Sequence, residues 1–154
     1  MINVEVTGPA VPRFPRREIG DFVRAVLQWS GGRSRPPVSR KRSAAEAAAA
    51  PQVDEVSIAF VDDASMRSLN KKFRGKNKTT DVLTFPGEAP FLGDIVISLD
   101  QARRQARDER HSLATEVRYL ILHGILHALG FDHETDDGEM NALEMKMRAK
   151  VGLR

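Results

Sequence analysis

Three of the four histidines fall in one short stretch, His123-Gly124-Ile125-Leu126-His127-Ala128-Leu129-Gly130-Phe131-Asp132-His133. His123 and His127 are four residues apart. On a helix that spacing puts them on one face, about 6 Å apart along the axis. Gly130 suits the left-handed residue that ends a helix and turns the chain back. Such a turn can bring His133 round to the same point in space. Three neutral imidazoles converging on one point make a site for a first-row metal, most often zinc, with a coordination position left open.

A lone H-x-x-x-H pair is more often a coincidence of helix packing than a site. Here the pair sits in an otherwise apolar run, Leu120 to Leu129, where a buried imidazole must be satisfied by something. The glycine and the third histidine follow at once, and together they favour a single zinc ion on His123, His127 and His133. The spacing equals that of the metzincin proteases, H-E-x-x-H-x-x-G-x-x-H, with one difference. The protease uses the glutamate after the first histidine as its general base. Gly124 stands there instead, and glycine cannot take a proton. The spacing therefore keeps the metal cage and lacks the peptidase base.

Charge points to the kind of substrate. The net charge is only +3, but it is segregated. Arg67, Lys71, Lys72, Arg74, Lys76 and Lys78 follow one another with no acid between them. Asp132, Glu134, Asp136, Asp137 and Glu139 cluster just after the metal motif. A basic segment on a chain with a metal site suggests a polyanionic substrate, although a solvated basic face would look the same. With no cysteine in the chain, disulfides are excluded, as are the zinc nucleobase deaminases, which need cysteine ligands. The N-terminus does not read as a signal peptide and no apolar stretch is long enough to span a bilayer. A cytoplasmic protein is expected. At 154 residues, one domain over 1–154 is expected.

The elements that must position these residues can be read in order. Ile2, Val4 and Val6 alternate with polar residues as in a half-buried strand. Ile19, Phe22, Val23, Val26 and Leu27 recur at helical spacing between Pro15 and Ser30. The segment 33–50 begins basic and proline-containing, ends in alanines, and offers no apolar face; it reads as a mobile insertion. Val56, Ile58 and Phe60 form a second strand. Asp62 or Asp63 can cap the next helix, in which Met66, Leu69 and Phe73 are expected to face inward. Val82 to Phe85 is a short strand, and Leu92 to Ser98 is a strand covered on both faces. Ser98 with Gln101 has capping-box spacing for a helix to about Glu109. Ser112 starts the histidine helix. Asp136 and Glu139 again have capping-box spacing, before a last helix with Met140, Leu143 and Met147 inward.

These residues carry a resemblance. The histidine stretch, with glycine in its second place, resembles the YbeY family of bacterial ribosomal-RNA maturation factors and endoribonucleases. So does the block from Leu69 to Pro86, with Arg74-Gly75-Lys76 and Thr80-Asp81-Val82-Leu83-Thr84-Phe85-Pro86, and the smaller piece Gly93-Asp94-Ile95. The pattern extends from about Val53 to Met147. The departure is 33–50, where family members usually have a short connection.

The resemblance implies a single compact α+β domain: a small mixed sheet packed with about five helices, the metal site on a central helix and the following turn. It implies a zinc-dependent, single-strand-specific endoribonuclease acting in 16S ribosomal-RNA 3′-end maturation and ribosome quality control. Its partners would be RNA, ribosome-assembly proteins and the small ribosomal subunit. A non-catalytic assembly factor with a structural zinc is the rival reading; a metalloprotease is disfavoured by Gly124. Arg74 is the expected catalytic residue, since a guanidinium can hold two phosphate oxygens at once. Lys72, Lys76 and Lys78 are expected to track the RNA backbone. Asp132 is a candidate to orient a ligand imidazole. His111 is a weak candidate for general acid, a surface residue before a helix cap being the more ordinary reading.

Overall fold

A computed structural model describes residues 1–29, 53–131 and 138–153 of the chain. The expected insertion at 33–50 therefore lies outside the described residues, as do Asp132 and His133. The elements run β1 (Asn3–Thr7), α1 (Arg16–Trp29), β2 (Glu55–Val61), α2 (Asp63–Arg74), β3 (Val82–Pro86), β4 (Phe91–Ser98), α3 (Leu99–Glu109), α4 (Leu113–Ala128) and α5 (Glu139–Lys150). The four strands form one mixed sheet in the order β1-β2-β4-β3. β1, β2 and β4 are parallel, and β3 pairs antiparallel to β4 at the edge. This is the α+β architecture expected. No helix among the described residues is long and apolar enough to cross a membrane.

Strand alternation divides the core between the two faces of the sheet. Ile58, Ile95 and Ile97 point to the main cluster, where α1 and α4 supply Val23, Val26, Val117, Ile121 and Ile125. Val96 and Leu83 point the other way, to a smaller cluster with Met66 of α2. β4 is thus covered on both faces, as its uninterrupted Ile95-Val96-Ile97 run requires. α4 is the central element. It packs on β3, β4, α1, α3 and α5, and it buries Leu120, Leu122 and Leu126 as well as the residues of its sheet-facing side. Ser112 caps it by accepting from the Thr115 amide at 3.1 Å.

Three local expectations are corrected. Phe73 does not face inward: it is 56% exposed and stands outside both apolar clusters. Ser98 caps α3 through the Gln101 amide, but the reciprocal arm of the box is missing, because the Ser98 amide donates to Asp81 O at 2.9 Å in a neighbouring loop. The cap of α5 is Gly138, at φ 93° and with no side-chain bond, so Glu139 opens the helix and the Asp136 spacing does not define its start. The choice between Asp62 and Asp63 is also decided. Asp62 is the cap, accepting from the Ser65 amide at 2.8 Å.

Asp63 ties separate elements together instead. Its carboxylate accepts from Ser98 Oγ at 2.9 Å, Thr79 Oγ1 at 3.1 Å and Arg104 Nη2 at 2.7 Å. Buried Asn70 adds a second tie, donating from Nδ2 to Lys78 O at 2.8 Å. The basic loop after α2 is thereby pinned at Lys78 and Thr79.

Candidate metal centre and active-site cleft

The α4 backbone places His123 and His127 one turn apart, both half-buried. Their rings meet at 4.6 Å between centroids, inclined by 74°. The two Nε2 atoms are 3.0 Å apart. Two imidazole nitrogens bound at 2.0–2.1 Å to a tetrahedral zinc stand about 3.3 Å apart, so a small opening of the pair would admit the ion.

The tautomers follow from a residue that the sequence reading missed. Glu144 of α5 is buried, 9% exposed, and its Oε1 lies 3.2 Å from His123 Nδ1. Burial pushes its carboxyl up, but the hydrogen bond and charge of His123, with Arg148 and His127, outweigh burial and hold it below the ordinary carboxylate value. An ionised carboxylate only accepts, so Nδ1 of His123 is the proton-bearing nitrogen in this contact, and in the neutral ring Nε2 is then the nitrogen with a lone pair for a metal. The signal was available in the sequence. Glu144 lies four residues after Met140 and three before Met147, on the stripe those methionines define. A carboxylate in a core stripe needs a buried partner.

The helix ends as the glycine suggested. Gly130 has φ 98°. Its amide donates to His127 O at 2.9 Å and the Phe131 amide donates to Leu126 O at 3.0 Å, the paired bonds of a Schellman turn. The turn directs the chain towards His133. His133 and Asp132 themselves lie outside the described residues, and among the described residues no third donor joins the pair as a metal cluster.

Gly124 is placed by packing. A Cβ there would lie 2.6 Å from Ile95 Cγ2 and 3.4 Å from Thr84 Oγ1. Thr84 also donates to Gly124 O at 3.3 Å. α4 therefore presses directly on β3 and β4 at this point. The space that a glutamate would need is occupied by the sheet, so the missing base cannot be restored by side-chain rotation.

His123 and His127 open onto a cleft of about 550 Å³. It runs along the edge strand β3, lined by Val82 to Pro86, and ends at Phe73 and Arg74 of α2 and at Gly130 and Phe131. Arg74 is exposed and lines the same cleft as the two imidazoles. Lys72, Lys76 and Lys78 are exposed and are not among the residues that line it. His111 belongs elsewhere. It precedes the Ser112 cap of α4, whose first residue Leu113 is already ten residues, about 15 Å of helical rise, from His123, and its Nε2 is 2.8 Å from Glu116 Oε1.

Comparison with known proteins gives the family. The sequence profile of endoribonuclease YbeY matches residues 39–152. The chain belongs to the YbeY family. An endoribonuclease YbeY of Solibacter usitatus is 54% identical over 91 residues, which cover 59% of this chain and 62% of that protein. One from an Anaeromyxobacter species is 43% identical over 139 residues, covering 85% of this chain and 72% of its own length. The solution structure of a Thermotoga maritima protein superposes with a TM-score of 0.62, covering 97% of this chain and 89% of its own, at 23% identity. That likeness extends the fold beyond sequences that align easily.

Proposed function

We propose that this chain is a zinc-dependent endoribonuclease that cuts single-stranded RNA. The naming of its relatives as endoribonucleases supports RNA cleavage. The observation that carries the site is that Arg74 and the paired imidazoles line one open cleft, so a phosphate held by the guanidinium lies within reach of the metal position. On this reading zinc is held by His123, His127 and His133. The chemistry supplied there, when the ion is bound, would be a water that ionises near neutral pH, at about 7, and Lewis-acid polarisation of a phosphoryl oxygen.

The chain's own residues do the rest. Glu144 fixes the His123 ring and its tautomer, and Asp132 is placed in sequence to do the same for a neighbouring ligand. Arg74 stabilises the charge that grows on the phosphoryl oxygens in the transition state. Lys72, Lys76 and Lys78 hold the RNA backbone at the rim. Proteolysis finds no support, since Ile95 fills the place of the missing base. The setting proposed with it is the one the family resemblance implies: 16S ribosomal-RNA 3′-end maturation and ribosome quality control in the cytoplasm, with ribosome-assembly proteins and the small subunit as partners.

The test is cleavage of a defined single-stranded RNA by metal-stripped and zinc-restored protein. Cutting that returns with one equivalent of zinc supports the enzyme. A protein that binds one zinc but leaves RNA intact in both states is the non-catalytic assembly factor instead.

A further inference from the structure

Phe73 is an aromatic ring that the fold leaves in water. It is 56% exposed and belongs to neither apolar cluster, although it immediately precedes Arg74. Its one aromatic neighbour among the described residues is Phe85 of β3, with centroids 5.1 Å apart and rings inclined by 70°. Phe85 is anchored on the smaller core cluster. Phe73 is therefore braced from below while its outer surface stays open. Lys72 Nζ lies 5.2 Å from its centroid, a cation on a long flexible stem that an incoming base can displace towards a phosphate. Both rings line the cleft that holds His123 and His127.

An exposed aromatic ring flanked by cations, within a segment free of acids, has the makings of a single-strand binding surface. Bases stack on the ring and the cations follow the backbone. We propose that Phe73, braced by Phe85, is a stacking platform for one unpaired nucleobase of the RNA. The phosphate adjoining that base then lies against Arg74 and faces the imidazoles. A base held in a duplex is stacked on its neighbours and cannot be laid on the ring without being unpaired. The platform accordingly accounts for a preference for single strands without reading sequence, because every base has a π-face. This proposal rests on the endoribonuclease reading above.

The experiment uses the full chain and single-stranded RNA carrying 2-aminopurine at successive positions, whose fluorescence is quenched on stacking. Binding is followed with metal-stripped protein and cleavage with zinc-restored protein, for the parent, Phe73→Ala, Phe73→Leu and Phe73→Trp. Leucine keeps bulk and apolarity but not the ring, and circular dichroism verifies that each variant is folded. The expected result is quenching at one position with the parent and the tryptophan variant, lost with alanine and leucine. Affinity should fall roughly five- to hundred-fold in those two variants, the range found for one base stack. Cleavage of RNA lacking the base at that position should become insensitive to Phe73→Leu. If alanine and leucine variants quench and bind as the parent does, or if the parent quenches at no position, the platform is refuted. Zinc-restored parent that still cleaves leaves the endoribonuclease reading standing in that case, and absence of cleavage by the parent refutes that reading separately.

Discussion

Glu144 holds His123 across 21 residues of sequence, with Oε1 3.2 Å from Nδ1, while its other oxygen lies 3.5 Å from Arg148 Nη2. One carboxylate thus holds the His123 ring and is itself held by a cation on the same helix. Removing it should loosen the ring and let the tautomer equilibrate. Glu144→Ala should weaken zinc binding about 10–100-fold, and Glu144→Gln, which can still accept at one oxygen, should weaken it less. Competition against a chromophoric chelator measures this directly. Equal affinities for parent and alanine variant would show that Glu144 only packs.

His123→Ala and His133→Ala should each lower bound zinc well below one equivalent, since two remaining imidazoles hold the ion too weakly. Elemental analysis after gel filtration is the measurement. Full zinc content in the His133 variant would place the third ligand elsewhere.

Gly124→Ala should destabilise the fold. The new methyl group would stand 2.6 Å from Ile95 Cγ2, and overpacking of a core of this kind costs about 1–3 kcal/mol. The gain in helix propensity returns about 1 kcal/mol of that. A fall in melting temperature of up to about 8 °C is expected. Ile95→Ala in the same chain should absorb the clash, so the double variant should lose less than the two single losses added together. Strict additivity would argue that the helix simply moves aside.

Arg74→Ala should keep fold and zinc while lowering single-turnover cleavage about 10²–10³-fold at saturating RNA, because the guanidinium acts on charge that develops in the transition state. Lys76→Ala should do the reverse, weakening binding and reducing its salt dependence by about one ion with little effect on the saturated rate. An Arg74 variant that cleaves at the parent rate under saturation would make Arg74 a binding residue only.

Acid should weaken the tie made by Asp63. Burial pushes its carboxyl up, but Arg104, Ser98 and Thr79 outweigh burial and hold it below its ordinary 3.8. A depressed folded value means the contribution is complete above the unfolded value and is lost as pH falls through the folded one. Melting temperature should therefore drop more steeply between about pH 5 and pH 2 in the parent than in Asp63→Asn. Parallel curves would mean that the three hydrogen bonds add nothing ionic to stability.

The sequence by itself determined what depends on near neighbours along the chain. The alternation of Val56, Ile58 and Phe60, the helical recurrence of Ile19 to Leu27, the Ser112 cap and the glycine turn at Gly130 are local, and the structure has them all. The pairing of His123 with His127 is equally local, because one helical turn sets it. Tertiary structure decided what depends on distant segments meeting. Periodicity put Phe73 on the same face as Met66 but could not say how far the sheet extends; β3 is the edge strand, and Phe73 meets its Phe85 ring while remaining 56% exposed. Gly124 read as an absent base, yet its reason is the press of α4 on Ile95, a contact between segments 29 residues apart. Glu144 sat in a core stripe with no sign of its partner, because only the packing of α5 on α4 brings a buried carboxylate and an imidazole together.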